Sequence, residues 1–465
     1  MLWLDVRSGP VSDEALEALA AGGVHEVFLQ AAELTWEGGE PQWSVDWRAV
    51  PMPHAPVTLV VGGLAPSAET SKESVAALAE RLAEAELEIQ RRGGLPVGFH
   101  FHLAVPDEAA LEPLAHLTAK LGAVLGRERP LSVTLPVALL ESPGARDLAR
   151  AASALVVFLY GQGAQGEESK QLWDLQAVAE RLALLESLDR GYLVGVVTLG
   201  RMTRRSSSGQ SLDATTVGSI RRLLDQPGVD VAFGSALQAV DGRVYDFDVH
   251  RPVSVGPWRL AARDRIRIHL LAADQLQRFL ELVAAPKWEH HLGQAYFRPP
   301  RAEEGLALPP QVLAGILSDR PPPARVEVQR QADRRGNRLT VRLTVTNTGT
   351  ESTEIAHVGN NFVQLRTRRG RFLSAERGDF QRYDQIDSAS GRRSIRSDTV
   401  RLHAPYLAAG ETLHSGDLVF LGARDEDLEL GGSFLLPDGS VVSVVEAVPS
   451  EEKDEDATGA AGGRG

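Results

Sequence analysis

The fold is read from Pro96-Val97-Gly98-Phe99-His100-Phe101-His102-Leu103. This segment follows Lys72 to Arg92, where Val75, Leu78, Leu82 and Leu87 recur at helical spacing and Gly93-Gly94 ends the helix. It precedes Val105-Pro106-Asp107-Glu108, a loop that opens the next helix. Helix, strand and helix in that order make a β-α unit with a parallel strand. In a strand, successive side chains point to opposite faces, so His100 and His102 share one face while Phe99 and Phe101 share the other. The histidines stand near the C-terminal end of the strand, where barrels and doubly wound sheets place their chemistry.

Working outward, the same alternation repeats. Leu2 to Val6, Val27 to Gln30 and Val57 to Val61 precede the histidine strand as short apolar runs. Leu131 to Leu135, Leu155 to Tyr160, Tyr192 to Val197 and Val229 to Gly234 follow it. Helical segments separate most of these runs, the last of them expected over Asp264 to Val283. About eight units of this size predict a TIM-like (β/α)8 barrel over residues 1–285. An open doubly wound sheet is the alternative, but no glycine-rich phosphate or dinucleotide loop follows the first strand. No cofactor is expected.

Pro299-Pro300 and Pro321-Pro322-Pro323 mark residues 286–323 as a connecting segment. Beyond it the period becomes two, as in Leu339-Thr340-Val341-Arg342-Leu343-Thr344-Val345, with Asn347-Thr348-Gly349 as a turn signal. A small antiparallel β-sandwich of immunoglobulin-like type is expected over 324–448, and a disordered acidic and Gly/Ala-rich tail over 449–465.

Composition narrows the function. The chain has 465 residues, no cysteine and a formal net charge of −13. Disulfides, thiolate metal sites and thiol nucleophiles are thereby excluded, and the charge argues against nucleic acid as a partner. No apolar run reaches the roughly 18 residues of a membrane-spanning helix. The start, Leu2-Trp3-Leu4-Asp5-Val6, reads as a strand rather than a signal peptide. As written the chain is expected in the cytoplasm; a start trimmed of its export signal would look the same and would place it in the cell envelope or periplasm.

The chain resembles an uncharacterised bacterial family of proteins of unknown function, often described as lipoproteins. Phe28-Leu29-Gln30-Ala31-Ala32-Glu33, Gly98-Phe99-His100-Phe101-His102, Leu131-Ser132-Val133-Thr134-Leu135, Val157-Phe158-Leu159-Tyr160-Gly161-Gln162 and Tyr296-Phe297-Arg298-Pro299-Pro300 carry the resemblance. It implies a glycosidase-like barrel joined to a small β domain, and no particular reaction. Thr344-Val345-Thr346-Asn347-Thr348-Gly349 matches the β domain more loosely. Where the relatives tend to carry an Asp-x-Asp strand, this chain has His100-Phe101-His102, which puts carboxylate chemistry at that strand in question. Their export signal is also missing here.

The candidate groups follow from strand ends. A glycosidase needs two carboxylates flanking the scissile bond, and Glu33 and Asp5 are the candidates; the bland alternative is that Glu33 pairs with Arg7 or Arg201 and closes the barrel top. His100 and His102 are candidate ligand-binding groups. As a metal pair they would need a third ligand such as Glu33, Asp5 or His54; otherwise one hydrogen-bonds inside the barrel and the other stacks on an aromatic ring. Tyr160, Gln162 and Arg201 lie just past strands six and seven and can orient a sugar or a carboxylate. Trp36 and Trp43, with Trp47, sit in one long loop and offer either a sugar platform or a hydrophobic lid. Arg204 and Arg205 lie in a polar loop, and Arg366-Thr367-Arg368-Arg369-Gly370-Arg371 forms a basic hairpin read as a charged, solvated edge. Three functions remain: a barrel that binds or processes a polysaccharide or small ligand, a non-catalytic binding or assembly module derived from one, and a metal-dependent hydrolase organised by His100 and His102.

Overall fold

The computed structural model describes residues 1–5, 13–47, 55–159, 174–215, 218–232, 237–239, 242–297, 306–318, 324–355, 360–390, 392–393 and 397–447. They divide between two compact units, Met1–Pro321 and Pro322–Gly465.

The first unit is built on a closed barrel of eight parallel strands, Leu2–Asp5, Val27–Glu37, Pro56–Leu64, Leu95–Ala104, Leu131–Thr134, Leu155–Phe158, Tyr192–Val197 and His291–Phe297. Closure is direct: Leu2 pairs with Val27 on one side and with Tyr296 on the other. Trp3, Phe28, Val60, Val156, Leu193 and Ala295 point inward and form one buried cluster. The interior is therefore a packed core rather than a pore. The opposite phase of each strand, including Leu29, Leu59, Phe99, Phe101 and Val133, is also buried, as expected where helices cover a parallel sheet. The helix Lys72–Arg91 shows how the sequence builds that cover. The Ser71 hydroxyl caps it by accepting from the Ser74 amide at 3.0 Å, and Val75, Leu78, Leu82 and Ile89 are buried along one stripe. Each such apolar side chain contributes about 1.5–3 kcal/mol.

Seven of the eight strands lie where the apolar runs predict them. The eighth does not. Val229–Val231 pairs antiparallel with Gly242–Val249, and barrel closure falls instead to His291–Phe297, inside the stretch expected to be a connector. A short apolar run cannot by itself distinguish a barrel strand from a strand of another sheet. The true closing strand, His291-Leu292-Gly293-Gln294-Ala295-Tyr296-Phe297, is too polar at its start to be read as buried.

Between the seventh and eighth barrel strands the chain inserts an antiparallel sheet in the order Ser211–Thr215, Arg201–Arg205, Arg265–Leu270, Gly242–Val249, Val229–Val231. Met202, Ile266, Ile268, Tyr245 and Phe247 are among its buried side chains. The helix Ala273–Val283 then leads into the closing strand.

The second unit contains two six-stranded sheets, antiparallel apart from the pairing of Val326–Arg335 with Val445–Glu446. Val328, Val341, Leu343 and Val345 of one sheet share a core with Val363, Leu365, Val400, Leu402 and Phe434 of the other. The turn signal at Asn347 has a mechanism: its Oδ1 accepts from the Gly349 amide at 3.1 Å, and its Nδ2 donates to the Glu351 carbonyl at 2.8 Å. The arginine hairpin is paired with the unit's own acids, Arg368 with Glu429 at 2.5 Å and Arg366 with Asp398 at 3.7 Å. The last tail lies outside the described residues.

Candidate functional site

The fourth barrel strand, Leu95–Ala104, is a strand because Phe99 and Phe101 bury themselves outward, leaving His100 and His102 for the interior. His100 is fully enclosed, and His102, one rung nearer the C-terminal mouth, is half-buried. The fifth strand answers them in register, with His100 opposite Ser132. His100 Nδ1 lies 2.9 Å from Ser132 Oγ, and His100 Nε2 lies 2.8 Å from Thr134 Oγ1. The same Thr134 oxygen is 2.9 Å from His102 Nδ1, while Ser132 Oγ donates to the Phe99 carbonyl at 3.3 Å. Both ring nitrogens of His100 are thus occupied.

Aromatic rings enclose the pair. The Trp3 indole centroid is 5.3 Å from His100 and 4.9 Å from His102, both near edge-on. Phe158 lies 5.8 Å from His102, and Phe297 lies 5.5 Å from Phe158. Trp3 Nε1 donates to Gln30 Oε1 at 3.1 Å. Glycines make the room: a Cβ on Gly195 would come within 2.2 Å of the Phe158 ring, and one on Gly62 within 2.8 Å of Gln30 Nε2. Burial among these rings pushes His100 well below its ordinary range, with His102 adding to the effect, and lowers His102 to about 4. At neutral pH both imidazoles are uncharged, so the floor of the mouth is polar without carrying a charge.

The other expected site residues fall in different places. The tryptophan segment is a hairpin, not a loop: Val27–Glu37 turns through Gly38-Gly39, both at positive φ, into Glu40–Val45, as a two-residue hairpin turn requires. A register shift between Gln30 and Ala32 then places Glu33 opposite Gly62, which in turn pairs with His102. Glu33 and His102 therefore share the inner face of the sheet two strands apart, about 10 Å, with Glu33 exposed. Trp43 pairs with Leu34 and Trp36 with Pro41, so both rings lie on the opposite, helix-side face. Trp36 is tied down by its Nε1 donating to the Leu64 carbonyl at 2.9 Å. Trp47 lies under Arg92, whose guanidinium carbon is 5.7 Å from the ring centroid.

Asp5 ends the first strand opposite Gln30; its side chain, together with Tyr160, Gln162, Arg7 and His54, lies outside the described residues. Arg201 is exposed and opens the inserted sheet opposite His269 rather than the barrel floor. Arg204 is held by Asp264 at 2.9 Å. Among the described residues no three His, Asp, Glu or Cys side chains converge as a metal site, so the histidine pair finds no third ligand there. His290 makes an ion pair with Glu186 at 2.9 Å, at the start of the closing strand.

Trp3, Gln30, Ser132, Thr134, Phe158 and Phe297 belong to the site and were not singled out as a group from the sequence. The available signal was phase: Ser132 and Thr134 alternate along their strand as His100 and His102 do along theirs.

The chain matches no family model, and no curated protein matches it in sequence. Among solved structures it is similar to a chitinase from Chromobacterium violaceum, at 13% identity and a TM-score of 0.43 over 68% of this chain and 97% of that one. It is similar to the spore cortex-lytic enzyme SleL from Bacillus cereus, at 13% identity and 0.43 over 68% and 73%. A third is a glycoside hydrolase family 18 N-acetylglucosaminidase from Paenibacillus barengoltzii, at 12% identity and 0.40 over 66% and 97%.

Proposed function

We propose that the barrel binds a neutral, hydroxyl-rich ligand, a carbohydrate, at its C-terminal mouth and does not hydrolyse it. The uncharged floor formed by His102, Gln30, Phe158 and Phe297, all partly exposed above the buried Trp3, carries this reading. Aromatic surface beside uncharged hydrogen-bonding groups suits a sugar, whereas an ionic ligand would meet no opposite charge among these described side chains. Hydrolysis calls for a second carboxylate roughly 5 to 10 Å from the first. The inner positions toward the described strand ends include Gly62, His102, Thr134, Phe158 and Phe297; Glu33 is the described carboxylate in register with them, and Glu37 follows in the same strand phase about 13 Å further along. The catalytic alternative rests on Asp5, which ends the strand next to the one bearing Glu33.

The test is a panel of neutral gluco-, xylo-, manno- and N-acetylglucosamine tetrasaccharides, followed by calorimetry and by release of reducing ends. Saturable binding without new ends, kept in Glu33→Gln and weakened at least tenfold in His102→Phe, is the expected result. Turnover abolished by Glu33→Gln would establish the catalytic alternative. No binding to any member would remove the carbohydrate reading.

A further inference from the structure

We infer that a one-way hydrogen-bond chain inside the barrel holds His102 as its Nδ1–H tautomer and presents Nε2 to the mouth as a fixed acceptor, so that a bound ligand donates a hydroxyl or amide hydrogen there. The inference deepens the carbohydrate reading and rests on it for the ligand, though not for the tautomer.

The chain starts from a group that can only accept. The Phe99 carbonyl takes the Ser132 hydroxyl proton. A serine hydroxyl has one proton to give, so Ser132 Oγ must accept from His100, which fixes the proton of His100 on Nδ1. A neutral imidazole carries one proton, so His100 Nε2 accepts, and the donor is Thr134 Oγ1. The Thr134 proton is then committed, and its contact with His102 Nδ1 is made by an Nδ1–H of His102. What remains on His102 is the Nε2 lone pair.

That nitrogen has no partner among the described residues, and it is not among the fully enclosed polar atoms left unpaired. His100 below it is sealed, so the open approach is from the mouth. The opposite polarity, with Ser132 donating to His100, would turn a hydroxyl lone pair against the Phe99 carbonyl. Aromatic packing supports the arrangement, since the Trp3, Phe28 and Phe158 rings exclude water that would otherwise break the chain.

Long-range nitrogen–proton correlation spectra of the ¹⁵N-labelled chain near neutral pH report which nitrogen of each ring is protonated. Both rings are expected as Nδ1–H, the less common form of a free neutral histidine. Thr134→Val should release His102 toward Nε2–H, and Thr134→Ser should keep Nδ1–H. A wild-type His102 found as Nε2–H, or a Thr134→Val chain that keeps the wild-type tautomer, overturns the inference. If Thr134→Val does not fold, the wild-type spectrum decides alone. A tetrasaccharide that binds should shift the His102 Nε2 resonance; one that binds without shifting it overturns the acceptor role. Correct tautomers with no binding sugar would remove the carbohydrate reading and leave the acceptor standing.

Discussion

His100 and His102 lie with ring centroids 6.5 Å apart and ring planes 26° from parallel, and both contact the single hydroxyl of Thr134. Two imidazoles on one strand face need a partner that can serve both, and a β-branched threonine on the neighbouring strand does so without bringing in charge.

Removing the deeper ring should be costly. His100→Phe keeps the bulk of the ring but takes one of two partners from each of the Ser132 and Thr134 hydroxyls, both only 8% exposed, leaving Ser132 on the Phe99 carbonyl and Thr134 on His102. A lost hydrogen bond of this kind costs about 0.5–1.5 kcal/mol. The variant is expected to lose roughly 1–3 kcal/mol of unfolding free energy, read from urea midpoints. A loss under about 0.5 kcal/mol would show that the network contributes little to stability.

Acid should weaken the barrel. His102 is lowered to about 4 and His269 to about 4 in the folded state, against an ordinary value of 6.5. Between those limits the unfolded chain binds protons that the folded chain refuses, so stability falls as pH drops from 6.5 toward 4 and is fully present above 6.5. His290, raised by its bond to Glu186, works the other way: its contribution is present at acid pH and fades as pH rises through its folded value. Urea unfolding between pH 7 and 5 should show the decline. His102→Gln should flatten it by up to ~1.4 kcal/mol per pH unit, and an unchanged slope would count against a neutral His102.

The rim depends on one glycine. Gly63 has φ +124, and a Cβ there would lie 1.9 Å from the Leu34 carbonyl oxygen. Gly63→Ala must part the second and third barrel strands or strain the backbone. We expect a loss of about 1–3 kcal/mol, seen as a lower Tm. An unchanged Tm would mean the rim can rearrange freely.

Barrel closure can be tested by shortening the chain. Ending it at residue 285 removes His291–Phe297 and leaves Leu2–Asp5 and Tyr192–Val197 each with one neighbour instead of two. Ending it at residue 321 retains the whole first unit. The longer form should unfold cooperatively in urea; the shorter should bind a hydrophobic dye and lack near-ultraviolet circular dichroism. Cooperative unfolding of the shorter form would contradict the closed ring.

Much of the barrel was legible because buried parallel strands are apolar on both faces, as Leu155-Val156-Val157-Phe158 and Tyr192-Leu193-Val194-Gly195-Val196-Val197 show. The closing strand was not, because His291 and Gln294 break that pattern and a whole sheet intervenes in the chain. The face of the histidine pair followed from period two alone. The position of Trp36 and Trp43 did not: it depends on a hairpin and on a register shift beside Ala31, and one step of register moves every side chain to the other face.

Local spacing by itself determined the β-α alternation, the inward phase of His100 and His102, and the change to period two in the second unit. Only tertiary structure decided the charge, partners and proton positions of those histidines. Ser132 and Thr134 stand 32 to 34 residues away along the chain, and the rings that exclude water come from other strands. Burial and hydrogen-bond direction are properties of that assembled neighbourhood, so no segment carries them alone.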